Sequence, residues 1–360
     1  MAQITVAIVG TGNIARFHAE ALQALADQAE LVAAADVDTT SLREFCAKYH
    51  VPAAHGTLAD LLAAGPPDLV HVCTPPGAHA DVALSCLEAG SSVLVEKPPS
   101  LSLAEMHAMT AAQGENGPWF ATVFQQRFGS GAQRLHAMIR SGVLGRPLLA
   151  VCHTVWYRDQ EYFDVAWRGR WDTEGGGPTM GHGIHQMDLL CYLLGEWTEV
   201  SAVARRQERR MDTEDLSLAH VTFASGVAAS VINSVLSPRQ ESYLRFDFER
   251  ATVELSHLYG YGDDDWRITP APGHEAEVEA AWAAGAHGER SSHRAQFAAV
   301  LRSLREGRPP PVTAVEALRT MQLVAGIYAS AFLRRPVRPG DLGPDSFFYH
   351  RMNGSGAPWQ

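Results

Sequence analysis

Basic residues are scarce. The chain carries 29 lysines and arginines against 40 aspartates and glutamates, a net charge of −11. A phosphate-backbone partner needs a basic face, so nucleic acid is excluded as the expected partner. The arginine pairs Arg205–Arg206, Arg209–Arg210 and Arg334–Arg335 are short and scattered, and read as solvated surface. Cysteine is sparse as well. The five, at positions 46, 73, 86, 152 and 191, are dispersed and odd in number, with no CxxC spacing. Neither a disulfide framework nor a zinc site follows, and reduced thiols in a cytoplasm are the expectation. No uninterrupted apolar run reaches the length of a membrane span. A strand begins by residue 4, which leaves no room for a signal peptide. Internal repeats are absent too.

What is present is an ordinary globular balance, 46% hydrophobic and 19% charged over 360 residues, long enough to expect two domains. Gly10-Thr11-Gly12-Asn13-Ile14-Ala15 follows the apolar run Ile4 to Val9 and opens a stretch with helical spacing at Ile14, Phe17, Ala21, Leu22 and Leu25. A second buried strand, Leu31 to Ala35, ends at Asp36. Glycine turn, helix N-terminus and strand-end carboxylate are the parts of a dinucleotide site in their order: the helix receives the pyrophosphate and the carboxylate the adenosine ribose. Strand-like and helix-like runs keep alternating to Val123, which predicts a parallel sheet covered by helices.

Beyond residue 124 the rhythm changes. Strand-like runs at 148–156, 198–204, 217–223, 227–235, 243–248 and 251–255 are often separated by turn residues, the pattern of a largely antiparallel open sheet in an α+β domain. Helices are expected at 132–141, 183–194, 292–305 and 314–331. The expected division is a Rossmann domain over 1–123, a substrate-binding and oligomerisation domain over 124–345, and an extended tail over 346–360.

Glu96-Lys97-Pro98 closes the fifth predicted strand. Ligands bind outside the carboxyl ends of such strands, and a lysine there can hydrogen-bond a substrate hydroxyl. Here the chain resembles the glucose–fructose oxidoreductase, inositol dehydrogenase and rhizopine-catabolism (Gfo/Idh/MocA) family. The matching residues are the glycine turn, Asp36, Thr74-Pro75-Pro76 with His79, Glu96-Lys97-Pro98, Arg127, and Gly175-Gly176-Gly177 leading to Gly183-Ile184-His185 and Asp188. The resemblance implies NAD(P)-linked chemistry at a carbinol or carbonyl carbon, usually of a sugar or cyclitol. It puts Lys97 at the reacting oxygen, with His185 as its catalytic companion and a cis peptide before Pro98. It places Gly10, Gly12, Asn13, Ile14, Asp36, Thr74, Pro75, His79, Glu96, Lys97 and Arg168 at the cofactor. Many such dehydrogenases carry an aspartate four residues before the catalytic histidine. Here that position is Gly181, followed by His182, and three readings stay open: Lys97 and His185 suffice, His182 takes part as catalytic support, or standard dehydrogenase chemistry is lost.

Trp156 to Trp171 holds six aromatics in 16 residues, interleaved with Arg158, Arg168 and Arg170. Aromatic faces stack on sugar rings. Together with the residues that the resemblance puts at the substrate, this makes Lys97, Arg127, Trp156, Arg158, Trp167, His182 and His185 the expected substrate contacts. Asp36, with no arginine immediately beside it, favours NAD over NADP. No metal site is expected. The resulting expectation is a cytoplasmic dehydrogenase of sugars or polyols, with no membrane partner, acting as a homodimer or homotetramer. Two alternatives stand beside it: a glycosidase using NAD for transient oxidation, and a non-catalytic dinucleotide-binding regulator.

Overall fold

The computed structural model describes residues 3–359. The chain forms two compact units, and the first is discontinuous: residues 1–100, 104–124 and 293–318. Its sheet has six parallel strands, β1 (Ile4–Val9), β2 (Ala29–Ala35), β3 (Ala53–His55), β4 (Leu69–Val72), β5 (Ser92–Val95) and β6 (Phe120–Thr122), in the order β3-β2-β1-β4-β5-β6. Strands covered on both faces read as continuous apolar runs, and β4 and β5 are buried along their whole length. Register aligns their carboxyl ends. Val9 lies opposite both Ala35 and Val72, and Val72 opposite Val95, so Gly10, Asp36, Cys73 and Glu96 emerge along one edge. The order of strands reverses between β1 and β4, where such sheets open a crevice for ligands.

A single boundary at residue 123 does not describe this unit. Phe297, Val300 and Leu301, on the helix His293–Arg305, are buried in one core cluster with Val6, Ile8, Leu69 and Leu94. The returning helix is a contiguous amphipathic segment like any other, so only the tertiary fold assigns it to the first sheet.

The second unit comprises 101–103, 125–292 and 319–360. Its strands are β7 (Pro147–Tyr157), β8 (Trp197–Arg205), β9 (Leu216–Phe223), β10 (Ala228–Ser234), β11 (Leu236–Phe248), β12 (Ala251–His257) and β13 (Trp266–Pro270). They run in the order β13-β12-β11-β7-β10-β9-β8, antiparallel except where β7 meets β10. Burial alternates along β9 residue by residue, one face inward and one outward. β11 begins seven residues before the apolar pattern does, because its first half carries Pro238, Arg239, Gln240 and Glu241. The tail is not extended. It forms a short helix, Phe347–His350, and buries Phe348 and Met352, with Phe332 ringed by Phe348 and Trp359. Its glycines and prolines suggested an open chain; the aromatic side chains between them pack it down. No helix of the described residues is long and apolar enough to cross a membrane.

Candidate active site

In the first unit, Gly10 has φ +89°, and a Cβ there would lie 2.7 Å from the main chain of Cys73 and Thr74. Only glycine lets β1 turn this close to β4. At Gly12 a Cβ would meet nothing within 4 Å. That glycine caps the helix Asn13–Gln23 without a side-chain bond to its first N–H groups, while Ala15 packs fully into the core. Open space against an uncapped helix N-terminus fits a pyrophosphate. Asn13 and Ile14 form the start of that turn. The Asp36 carboxylate accepts hydrogen bonds from Thr11 N (2.6 Å), Thr11 Oγ1 (2.8 Å) and Asp38 N (2.9 Å), which folds the end of β2 onto the glycine turn.

Thr74 and Pro75 follow β4, and Glu96-Lys97-Pro98 follows β5 with a cis Lys97–Pro98 peptide. His79 ties these two loops together. It is buried, with Nδ1 2.7 Å from the Pro98 carbonyl and Nε2 2.8 Å from that of Thr74. Burial lowers its pKa, opposed by the two carbonyls. Lys97 is half-buried at the mouth of β5.

Glu96 faces a group that sequence reasoning missed. Its Oε1 lies 2.8 Å from His18 Nε2 and 3.3 Å from His293 Nε2, and His18 Nδ1 lies 3.0 Å from His71 Nδ1. Burial pushes the Glu96 pKa up, but hydrogen bonds and charge from His18 and His293 outweigh it and hold the carboxyl well below its ordinary value. The ligand atoms of His18, Glu96 and His293 all lie within 4.8 Å of one another. The 2.8 Å contact is already a good charge-assisted hydrogen bond, so the arrangement serves as an anchor for the peptide leading to Lys97. His71 sits in a buried strand and His293 nearly two hundred residues downstream, and neither position has a local signal.

In the second unit the triple glycine packs against two groups also unread in the sequence, Glu214 and Tyr328. Side chains at Gly176 and Gly177 would collide with the Tyr328 hydroxyl and the Glu214 carbonyl. The buried Glu214 carboxylate accepts from Gly177 N (3.0 Å), Thr179 N (3.0 Å) and the Tyr328 hydroxyl (2.9 Å). Burial raises its pKa, opposed by those donors. The short helix Pro178–Gly181 then ends, and a second, Ile184–Leu194, begins after Gly183. His182 lies at that break, and His185 is the second residue of the new helix, so the two histidines do not share one continuous helical face. Asp188, one turn on, is fully buried and holds Arg127 through Nε (2.7 Å) and Nη2 (2.6 Å), with Thr320 Oγ1 at 3.0 Å. Arg127, expected at the substrate, is only 3% exposed because this pair occupies it.

The aromatic segment closes around His182. Trp156 meets its ring edge-on at 5.2 Å, and the Tyr162 hydroxyl lies 3.4 Å from Nε2. Arg158 stacks over Trp156 and Tyr162 and donates to the Tyr259 hydroxyl, while Arg168 lies 3.7 Å over Tyr162 and 4.8 Å over Trp167. Gly181 has a carboxylate beside it after all. A Cβ there would stand 3.4 Å from Oε1 of Glu174, whose Oε2 accepts from Gly169 N at 2.6 Å.

Comparison with known proteins agrees with this geometry. Residues 4–123 match the family model of an oxidoreductase family with an NAD-binding Rossmann fold, and residues 132–254 match the GFO/IDH/MocA C-terminal domain. The chain is 27% identical to D-apiose dehydrogenase of Paraburkholderia graminis over 90% of its own length and 87% of that protein's. It is 27% identical to myo-inositol 2-dehydrogenase of Thermotoga maritima, over 64% of this chain and 68% of that one. The WlbA dehydrogenase of Bordetella pertussis, solved with NADH and UDP-GlcNAcA, superposes with a TM-score of 0.83 at 27% identity, covering 94% of this chain and 99% of that one. The glycine turn, the glutamate-lysine-proline strand end and the matched carboxy-terminal sheet make this chain a member of the Gfo/Idh/MocA family, an NAD-binding oxidoreductase.

Proposed function

We propose that the protein oxidises a secondary alcohol of a sugar or cyclitol, or reduces the matching ketone. The observation that carries the substrate class is the box of Trp156, Tyr162, Tyr259 and Arg158 around His182. Aromatic faces suit the C–H faces of a saturated ring, and the polar groups between them suit its hydroxyls. Relatives named for D-apiose and myo-inositol support the same class.

NAD, when bound, supplies the hydride acceptor. Gly12 and the first turn of Asn13–Gln23 receive its pyrophosphate, and Asp36 takes the adenosine ribose, where a carboxylate repels a 2′-phosphate and so favours NAD over NADP. Lys97 hydrogen-bonds the reacting oxygen, anchored through Glu96. His185 exchanges the substrate proton, and His182, held by Tyr162, orients the substrate hydroxyls. Arg127 positions the helix that carries His185 through Asp188. Glu174 stands in for the carboxylate that position 181 lacks. Self-association as a homodimer or homotetramer accompanies this reading, through the outer face of the seven-stranded sheet, where the paired Val203 and Leu218 are 45% and 41% exposed.

The test is NADH formation across a panel of sugars and cyclitols, with NAD and NADP affinities measured alongside. Lys97→Ala is expected to lose about a hundredfold or more in kcat while NAD affinity stays within about threefold. Wild-type kcat in that variant overturns the role, and product from glycosides without net NADH favours the glycosidase alternative.

A further inference from the structure

The second unit contains a cavity of about 730 Å³ whose wall carries Arg168, Arg170, Arg206, Arg209 and Arg210. Two chain segments build it, 163–170 and 206–212. They are locked together at Gly169, whose carbonyl accepts from Asp212 N (2.8 Å) and Thr213 N (3.2 Å). Gly169 has φ +63°, and a Cβ there would lie 2.6 Å from Met211 Cβ, so glycine permits the close approach. The fully buried Asp215 carboxylate then fixes the second segment, accepting from the N–H groups of Gln207, Glu208 and Arg209.

The arginines are oriented without ion pairs, although the charge of the buried Glu174 acts on Arg168 from behind the wall. None of the five has a carboxylate within ion-pair distance among the described residues. Carbonyl oxygens hold them instead: Arg206 donates to Met211 O and Trp359 O, and Arg209 Nε to Arg158 O at 2.7 Å. Arg168 lies on the Tyr162 ring, and its buried Nε and Nη1 have no hydrogen-bond partner among the described residues. Of the other ionisable groups on the wall only Asp164 and Asp212 are acidic, so the cavity is formally +3 in a chain of net −11. Such a concentration of unpaired guanidinium groups against the chain's own charge is a site for an anion, and planar guanidinium forks match phosphate oxygens two at a time. One carboxylate needs one fork; five spread around a cavity this size match a multiply charged group. Tyr162 joins the cavity to the polyol box, with Arg168 on its ring and His182 at its hydroxyl.

We propose that this cavity binds the phosphate or diphosphate group of a phosphorylated sugar whose ring lies in the Trp156–Tyr162–His182 box. The inference rests on the sugar-oxidising reading for the ring, but its anion site is tested without turnover. The probe is inorganic pyrophosphate, titrated calorimetrically into the full chain saturated with NAD, so that the dinucleotide's own pyrophosphate cradle is filled. Arg170→Ser/Arg210→Ser is the variant, because both side chains are exposed and neither makes a side-chain hydrogen bond among the described residues. Pyrophosphate is expected to bind with a Kd of about 1 mM or tighter, to weaken about tenfold or more in the variant, and to weaken as salt rises. Unaltered NAD affinity checks that the variant is folded; Arg170→Lys/Arg210→Lys, which keeps the charge, replaces it if not and is expected to retain part of the binding. Glucose 6-phosphate and UDP-glucose separate a monoester from a diphosphate source, the tighter of the two naming it. Binding of glucuronate as tight as pyrophosphate, no pyrophosphate binding at about 10 mM, or equal binding in wild type and the serine variant each overturns the proposal. Pyrophosphate binding in a protein that oxidises no sugar would instead overturn the sugar-oxidising reading and leave the anion site standing.

Discussion

Replacing Arg127 with alanine separates two roles that one residue cannot both fill. Asp188 is fully buried and accepts two hydrogen bonds from the Arg127 guanidinium and one from the Thr320 hydroxyl. Removing the arginine leaves a carboxylate out of water without its charged partner. Breaking a buried ion pair from one side costs about 3–5 kcal/mol, against a whole-domain stability of about 5–15 kcal/mol. A domain of this size loses about 2–4 °C of Tm per kcal/mol, so Arg127→Ala should melt roughly 6–20 °C lower. Arg127→Met/Asp188→Leu, which removes both charges and keeps the volume, should recover most of that loss. The assay is a thermal melt of each variant with and without NAD, followed by kinetics at a temperature where both are folded. A Tm within about 2 °C of wild type, together with a KM raised about tenfold, would refute the positioning role and return Arg127 to the substrate.

His257 is partly buried, with its pKa lowered from 6.5 to about 4 by desolvation, only partly opposed by Asp265. Because the folded value is the lower one, its contribution is intact above pH 6.5 and is lost as pH falls toward 4, about 2 kcal/mol by pH 5; His18, His71 and His79 shift in the same direction. His257→Asn should flatten the fall in Tm between pH 7 and pH 5, and an unchanged slope would show that this ring is not the cause. His182→Ala is expected to lower kcat, His185→Ala to lower it more, and the double variant to lose less than the product of the two; strict additivity would mean they do not act as one unit. Glu174→Gln should lower kcat and flatten the acid limb of the pH–rate profile, and Gly181→Asp should restore activity only in that background, since in the wild type it would crowd two carboxylates. Activity unaffected by Glu174→Gln would leave that carboxylate a purely structural role.

The cofactor half of the site was legible because it is local. Gly10, Gly12 and Asp36 lie within one βαβ unit, where apolar runs, a glycine turn and a strand-end acid are sequence neighbours. The second sheet was visible wherever one face alternates with water, as in β9, and invisible where polar residues carry the hydrogen bonding, as in the first half of β11. The supports of the site were the hardest part. Glu214 and Tyr328 reach the triple glycine from 37 or more residues away, and His293 reaches Glu96 from 197. An ordinary acid, tyrosine or histidine announces nothing until the fold sets its partner beside it. The arginines of 205–210 are solvated as their spacing suggested, with Arg205, Arg206 and Arg210 exposed, but the turn that Asp215 imposes on this segment is not legible in that spacing.

The discontinuity of the first unit has a consequence for how the chain is made. Synthesis delivers β1 to β6 early, yet the core those strands enclose also requires Phe297, Val300 and Leu301. About 190 further residues must be translated before that unit is whole, roughly 10–40 s at ordinary ribosomal speeds of about 5–20 residues per second. Over that interval an incomplete parallel sheet stands with apolar side chains uncovered, and the nascent chain becomes a client for whatever in the cell shields such surfaces. A dinucleotide half excised at residue 123 would stay in that condition permanently, so exchanging cofactor modules between relatives requires carrying the 293–318 segment along with the amino-terminal one.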